Sequence, residues 1–381
     1  MSLLSPALLV ALVVVVLACV AGAVWTWPRL AGPGARSVTG RLGVLVVVNL
    51  SVLLLAFALL NDQYQFFTDW SDLVATASTQ AATTTAGGDA TQAVATRVPT
   101  THPPVPAGRW SVLSGGGDLT TYAVTGVASG VTSQVQVLLP VGYSDPANAH
   151  RTYPVLMGFG GYPGAVSQLE RAFRMPEAVA SAQAQHLVGP TIDVFVQPWT
   201  PPGRDTECVD GPGGRAAGDQ VETWAALDVP AWVHERFRAA AGRGSWATWG
   251  VSAGAYCAAM VAMLHPDTFS AAISFAGYDQ PSWGNWIPFS PNDSAASRYD
   301  LVALARRDPP PTALWLFASR HDNLAYPATT ALMAAARPPL SVTARISPVG
   351  GHGYLWWTPW FPTALAWLGT HASGFSPTAR P

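Results

Sequence analysis

Residues 247–263 read ATWGVSAGAYCAAMVAM, the stretch that most restricts what this chain can fold into. A β-rich approach containing Trp246 and Trp249 gives way at Gly-Val-Ser-Ala-Gly to an alanine-rich segment of helical character. A strand ending at Trp249 and a helix starting near Ala253 would hold Ser252 on a tight bend between two glycines. Such a bend admits a reactive serine, and it also admits small residues for packing alone. G-x-S-x-G is weak by itself, so the surroundings must decide.

Those surroundings alternate. Thr132–Leu139 (TSQVQVLL) has the period of a half-exposed strand, and Pro154–Phe159 and Ile192–Gln197 are short β-rich runs. Val221–Phe237 has helical spacing of Trp224, Leu227 and Trp232, with Pro230 expected as a kink or break. Ser245–Trp249, Ala271–Ala276, Ala313–Ser319 and Leu340–Ile346 read as further strands. This order predicts an α/β class fold, a mostly parallel central sheet flanked by helices. Ligands of such sheets bind at the carboxyl ends of the strands.

A serine hydroxyl needs a base to take its proton. Of eight histidines, His102 lies in a low-complexity tract and His150 in a polar turn, while His186 and His234 precede the serine. His265, in HPDTF, reads as a helix stop or a surface residue. His352, in VGGHGYLWW, follows the last expected strand in a glycine-rich loop, where the order Ser…Asp…His places a base. Asp322, in SRHDN after the strand ALWLFAS, is the expected acid. Asp279, after ISFAGY, competes with it, and either aspartate also suits a helix cap. The oxyanion amides are expected from Ala253 and from the loop Met157–Gly164 (MGFGGYPG), a plain glycine turn otherwise.

These blocks resemble a family. Pro154–Gly161, ECVDGP with VETWAALDVP, Gly250–Phe269 and GGHGYLWW look like the putative-esterase group of α/β-hydrolases, which includes esterase D and the antigen 85 type of mycolyltransferase. The likeness spans about residues 115–370, and the serine and histidine blocks are its specific parts. It implies an α/β-hydrolase fold with Ser252 as nucleophile, Asp322 as acid and His352 as base. It also implies oxyanion amides from Phe159 and Ala253, and transfer of acyl groups as in envelope glycolipids. The chain departs from the mycolyltransferases in carrying Asp322 where they carry glutamate, and Met157-Gly158 where they carry aspartate-glycine. Gly160, Tyr162, Trp356 and Trp357 are expected at a substrate pocket; for the tryptophans, core packing is the alternative. Gln280–Asp300 is an irregular insertion, either a cap on an acyl site or a surface loop.

Two uncharged runs precede all this, Ala7–Trp27 with 21 residues and Leu42–Leu60 with 19. Each is long enough to cross a bilayer as a helix. The connector carries Arg29, Arg36 and Arg41 and no acid, which places it in the cytoplasm and everything after residue 61 outside. A cleaved signal peptide ending at Ala21–Ala23 is the rival, and MSLLSP lacks its basic start. Tyr64, Phe66, Phe67 and Trp70 suit a membrane–water boundary, and Ala75–Gly108 reads as a flexible tether. The expected layout is therefore an anchor over 1–61, a juxtamembrane segment and linker over 62–109, a catalytic domain over 110–373 and a tail over 374–381. Membrane lipids and an acyl ester or glycolipid are the expected partners. A formal net charge of −2 argues against nucleic acid. Cys19 falls in the first run. Cys208 and Cys257 fall outside the membrane, where either a disulfide or two free thiols is open. No spaced His/Cys cluster suggests a metal, and no cofactor is expected. A non-catalytic envelope-binding module on the same scaffold and a serine peptidase are the competing functions.

Overall fold

A computed structural model describes residues 5–64, 106–201, 203–282, 284–290 and 293–378. The described chain divides into two compact units. One holds the N-terminal helices together with Pro348–Gly353, and the other holds the sheet and its helices.

In the first unit, helix Pro6–Thr26 starts at Ser5, whose hydroxyl accepts the Leu8 amide at 3.3 Å. Helix Ala35–Tyr64 follows a short connector that Arg41 closes by donating to the Gly32 carbonyl at 2.9 Å. Polar residues of the second helix bond back into it: Asn49 donates to the Leu45 carbonyl and Ser51 to that of Val48, both at 2.8 Å. Each thereby gives a polar hydrogen to its own helix rather than to water. The outward surface is apolar, with Leu17 and Leu53 each 64% exposed. Both helices are long and apolar enough to cross a membrane. Of the expected boundary aromatics, Phe66, Phe67 and Trp70 lie outside the described residues, as does most of the expected tether.

The second unit is an α/β-hydrolase fold. Its strands are β1 Arg109–Gly116, β2 Leu119–Thr125, β3 Thr132–Leu138, β4 Val155–Phe159, β5 Ile192–Val196, β6 Trp246–Val251, β7 Ala271–Phe275, β8 Ala313–Ser319 and β9 Ser341–Ser347. They form one sheet in the order β1-β2-β3-β5-β4-β6-β7-β8-β9. Strands β1 to β3 run antiparallel to their neighbours, and β4 through β9 pair in parallel. The parallel strands β4 to β7 are buried at every position. This accounts for their continuous apolar runs, since both faces are covered. One face packs on the helix Ala253–Leu264 and its neighbours, the other on Met175–Ala184 and Phe361–His371.

Three expectations change here. The hairpin β1–β2 precedes the first strand read from sequence. Strand β6 runs on through Gly250 to Val251, so the turn is confined to Ser252. Pro230 does not break its helix. Val221–Thr223 and Val229–Arg236 are α-helical, and a π turn over Trp224–Asp228 joins them. Proline has no amide to give, and the wider turn just ahead of it accommodates the missing bond. The buried Asp228 of this turn accepts the amides of Ala128 and Ser129, both at 2.9 Å, fastening the β2–β3 turn to the helix.

Candidate active site

Ser252 has φ 55° and ψ −126°, a backbone conformation that non-glycine residues rarely adopt. Two contacts hold it there. Its amide donates to the Phe275 carbonyl at 2.9 Å, at the end of β7, and its carbonyl accepts from Ala255 at 2.9 Å and Tyr256 at 3.1 Å, opening the helix Ala253–Leu264. The serine thus sits at a helix N-terminus, where unsatisfied amides and the helix dipole favour negative charge.

The neighbouring glycines are there because the backbones touch. A Cβ on Gly254 would lie 2.1 Å from the Phe159 carbonyl oxygen and 2.3 Å from that of Gly160. One on Gly250 would lie 2.2 Å from the Gly254 carbonyl oxygen. The helix therefore rests directly on the end of β4. The oxyanion-loop candidates follow from that contact. Phe159 is the fully buried last residue of β4, paired in register with Gly250. Gly160 comes next. At Gly161 an added Cβ would meet the Ser252 Cβ at 3.4 Å, so this loop and the serine are neighbours. Tyr162 is half-buried and donates from its hydroxyl to the Gly203 carbonyl at 2.8 Å.

Asp322 lies in the loop after β8 and is 2% exposed. Its Oδ1 accepts the amides of Leu324 at 3.1 Å and Ala325 at 2.9 Å, so it also caps the helix Ala325–Ala335. Asp279 lies beyond the end of β7, half-buried, and its carbonyl accepts the Leu301 amide at 2.9 Å. Burial raises the Asp279 carboxyl above its ordinary range, and the charge of Asp300 adds to this. His352 is 8% exposed and lies in the segment Pro348–Gly353 that directly follows β9. That segment belongs to the unit of the N-terminal helices, whereas Ser252 and Asp322 belong to the other.

Trp357 is a core residue. It is 3% exposed, packs edge-on against Tyr354 at 5.2 Å and belongs to the apolar cluster under the sheet, which favours core packing over pocket lining. Trp356 is only partly buried at the margin of that cluster. Cys208 and Cys257 are bonded, with S–S 1.98 Å, which joins the loop after β5 to the helix that Ser252 opens. Among the described residues no group of three or more His, Cys, Asp or Glu side chains is arranged to hold a metal.

Sequence reading missed the polar scaffold around this end of the sheet. Asn285, in the irregular insertion, donates to the Tyr162 hydroxyl at 3.0 Å and to the Gly203 carbonyl at 2.7 Å, and accepts the Asp205 amide at 2.9 Å. One side chain thus ties the loop after β4, the post-β5 loop and the insertion together. Below it, Glu207 accepts from the Tyr278 hydroxyl on both carboxyl oxygens, at 2.7 and 2.6 Å. Burial pushes the Glu207 carboxyl well up, with nearby Asp205 adding to the effect, and burial pushes Asp205 up to about 6. His265 ends the serine's helix as expected, but it is not a surface residue. Its Nε2 lies 2.8 Å from Oε1 of the buried Glu222. Glu222 also accepts from the Tyr299 hydroxyl at 2.7 Å and pairs with Arg298. Burial alone would raise the Glu222 carboxyl, but the hydrogen bonds and charges of His265 and Arg298 hold it at about 2. These partners are 43 to 77 residues apart in the chain, so no local pattern announces them.

Comparison with known proteins agrees with this architecture. A family model described as putative esterase matches residues 128–368. An uncharacterized protein of Corynebacterium glutamicum is 25% identical over 171 residues, which are 44% of this chain and 39% of that protein. The chain thus spans well under half the length of that curated relative. Among solved structures, an S-formylglutathione hydrolase from Agrobacterium tumefaciens aligns with TM-score 0.56 and 15% identity, over 68% of this chain and 99% of its own. FphF, a fluorophosphonate-binding serine hydrolase of Staphylococcus aureus, aligns with TM-score 0.51 and 16% identity, over 69% and 98%. MPT51 of Mycobacterium tuberculosis aligns with TM-score 0.50 and 16% identity, over 66% and 97%. At these identities the likeness is one of fold.

Proposed function

This chain belongs to the putative-esterase family, and on that premise we propose that it is a membrane-anchored serine esterase or acyltransferase working outside the cytoplasm. The observation that carries the chemistry is the conformation of Ser252, φ 55° at the junction of β6 and a helix N-terminus. A left-handed serine is strained, and such strain persists where function requires it.

In this reading Ser252 Oγ attacks the carbonyl carbon of an ester while His352 takes its proton. Asp322 receives the other imidazole N–H and fixes the tautomer. A carboxylate anchored to backbone amides through one oxygen can accept an imidazole through the other. The carbonyl oxygen, now negative, is met by the Ala253 amide at the helix N-terminus and by that of Phe159. The intermediate collapses, His352 returns the proton to the leaving alcohol, and the acyl group stays on Ser252. Water, or a sugar hydroxyl of a glycolipid, then attacks the acyl-enzyme by the same steps in reverse. Gly160 and Tyr162 line the approach on the oxyanion side, with Trp356 on the other.

Anchoring is supported by the two long apolar helices and their exposed aliphatic surface. The arginines of the connector support a cytoplasmic position for it, with the hydrolase outside. The Cys208–Cys257 bond supports an oxidising compartment.

The test is labelling of the full-length protein, in detergent, by a fluorophosphonate probe. Wild type is expected to label and Ser252→Ala not to. An unlabelled wild type, or an equally labelled Ser252→Ala, overturns the proposal and leaves the non-catalytic reading. Labelling together with turnover of peptides but not esters makes it a peptidase. A cysteine placed at Ser37 reports topology: it should resist an impermeant thiol reagent in intact cells, and reaction there would reverse the orientation.

A further inference from the structure

Far from Ser252, strand β5 carries a residue that the fold does not call for. Its sequence is IDVFV, buried at all five positions. Asp193 is 1% exposed, and its strand neighbours across the sheet are Leu138 and Leu156. Phe195, on the same face, lies in an apolar cluster with Leu138, Leu156 and Val179. A leucine would suit this position. Instead Asp193 Oδ1 is buried without a hydrogen-bond partner. A buried polar group left unpaired costs stability and calls for an explanation.

Next to it is a cavity of about 260 Å³. Its walls are mainly apolar, with Leu138, Pro140, Val141 and Val179 among them, and Asp193 is part of the lining. The charged residues of the lining are Asp193 and the exposed Asp118, with no arginine or histidine. The site lies at the start of β5, whereas Ser252 follows the end of the parallel strand β6. The two are therefore at opposite ends of the sheet.

We propose that this cavity binds a compact primary ammonium compound with an apolar body of about six to eight carbons, its ammonium paired with Asp193 and its body against the leucine, valine and proline walls. An apolar cavity of about 150 Å³ admits benzene, so a larger one takes a body of this size. The ammonium gives the orphaned carboxyl its missing donor, and pairing with it favours the ionised carboxylate, which selects a cation over an alcohol or an acid. Without such a partner, burial holds Asp193 well above the ordinary aspartate range.

Calorimetric titration of the full-length protein with cyclohexylammonium, cyclohexanol and cyclohexanecarboxylate tests this. The ammonium is expected to bind saturably and at least about tenfold more tightly than the alcohol, a difference of about 1.4 kcal/mol, with the carboxylate not binding. Asp193→Asn should erase that preference while fluorophosphonate labelling of Ser252 continues. Ala180→Trp, which fills the cavity from an exposed helix position, should abolish binding and leave the strand untouched, so the idea stays testable if the Asn variant misfolds. Absence of saturable binding in wild type, equal binding of the alcohol, or undiminished binding in either variant overturns it.

Discussion

The contact between the serine's helix and β4 makes a quantitative prediction for Gly254→Ala. The added methyl would lie 2.1 Å from the Phe159 carbonyl oxygen and 2.3 Å from that of Gly160. An ordinary C···O contact is about 3.3 Å or more, so the helix start must retreat from β4 by about 1 Å. Both obstructing atoms are backbone, so no side chain can swing aside. Ser252 moves with the helix, and the amides of Ala253 and Phe159 separate. A displacement of this size costs about 100-fold in rate when it falls on reacting groups. The accompanying overpacking costs about 1–3 kcal/mol of stability. The assay is the second-order rate of fluorophosphonate labelling at 25 °C, with hydrolysis of a p-nitrophenyl ester beside it and a denaturant midpoint for stability. Gly116→Ala is the control, since a Cβ there meets nothing within 4 Å. A folded Gly254→Ala protein that labels within about threefold of wild type would refute the idea that helix-to-strand contact sets the serine's position.

Asp322→Asn should slow labelling by about 10³- to 10⁴-fold, because the tautomer of the base is lost, and Asn keeps the oxygen that caps the following helix. Asp279→Asn should change it little, and the reverse ranking would reassign the acid. Replacing Cys208 and Cys257 together with serine removes a link between residues 49 apart, which loop entropy values at about 4 kcal/mol; an unchanged chemical denaturation midpoint would contradict that. Glu222→Gln should destabilise the fold by about 3 kcal/mol at pH 7, the equivalent of moving a carboxyl from 4.5 to about 2. The ionised Glu222 is worth its full amount above pH 4.5 and loses it as pH falls toward 2. The gap between wild type and Gln should therefore close across that window, and a gap constant down to pH 2 would show that Glu222 does not act through its charge.

What the sequence made legible follows from what was locally patterned. The buried parallel strands announce themselves because both faces are covered, and GVSAG announces a bend because backbone contact excludes larger residues at Gly250 and Gly254. Strand β1 was missed for the opposite reason. All eight of its residues are exposed, so it has no inward face to impose alternation. At Pro230 the sequence suggests a kink or a break, because it shows the missing amide but not how the preceding turn widens to accommodate it. For His265 the helix-end alternative holds and the surface alternative does not, since its partner Glu222 is brought to it by the fold. Trp357 was indistinguishable from a pocket residue until its neighbours were known. The same holds for Asp193, whose short hydrophobic context reads as an ordinary strand.

The helix Ala253–Leu264 is fastened along its whole length: backbone to backbone at β4, through sulfur at Cys257, and through His265 to Glu222 at its far end. A post so firmly set has little freedom to adjust to the cargo it handles. On the proposed esterase reading, accommodation of acyl groups of different bulk falls on the strap between Gln280 and Asp300, whose described residues form one short helix, Ser294–Ser297, and are otherwise irregular. Variation among relatives in what they accept should accordingly be written in that strap, while the post stays the same.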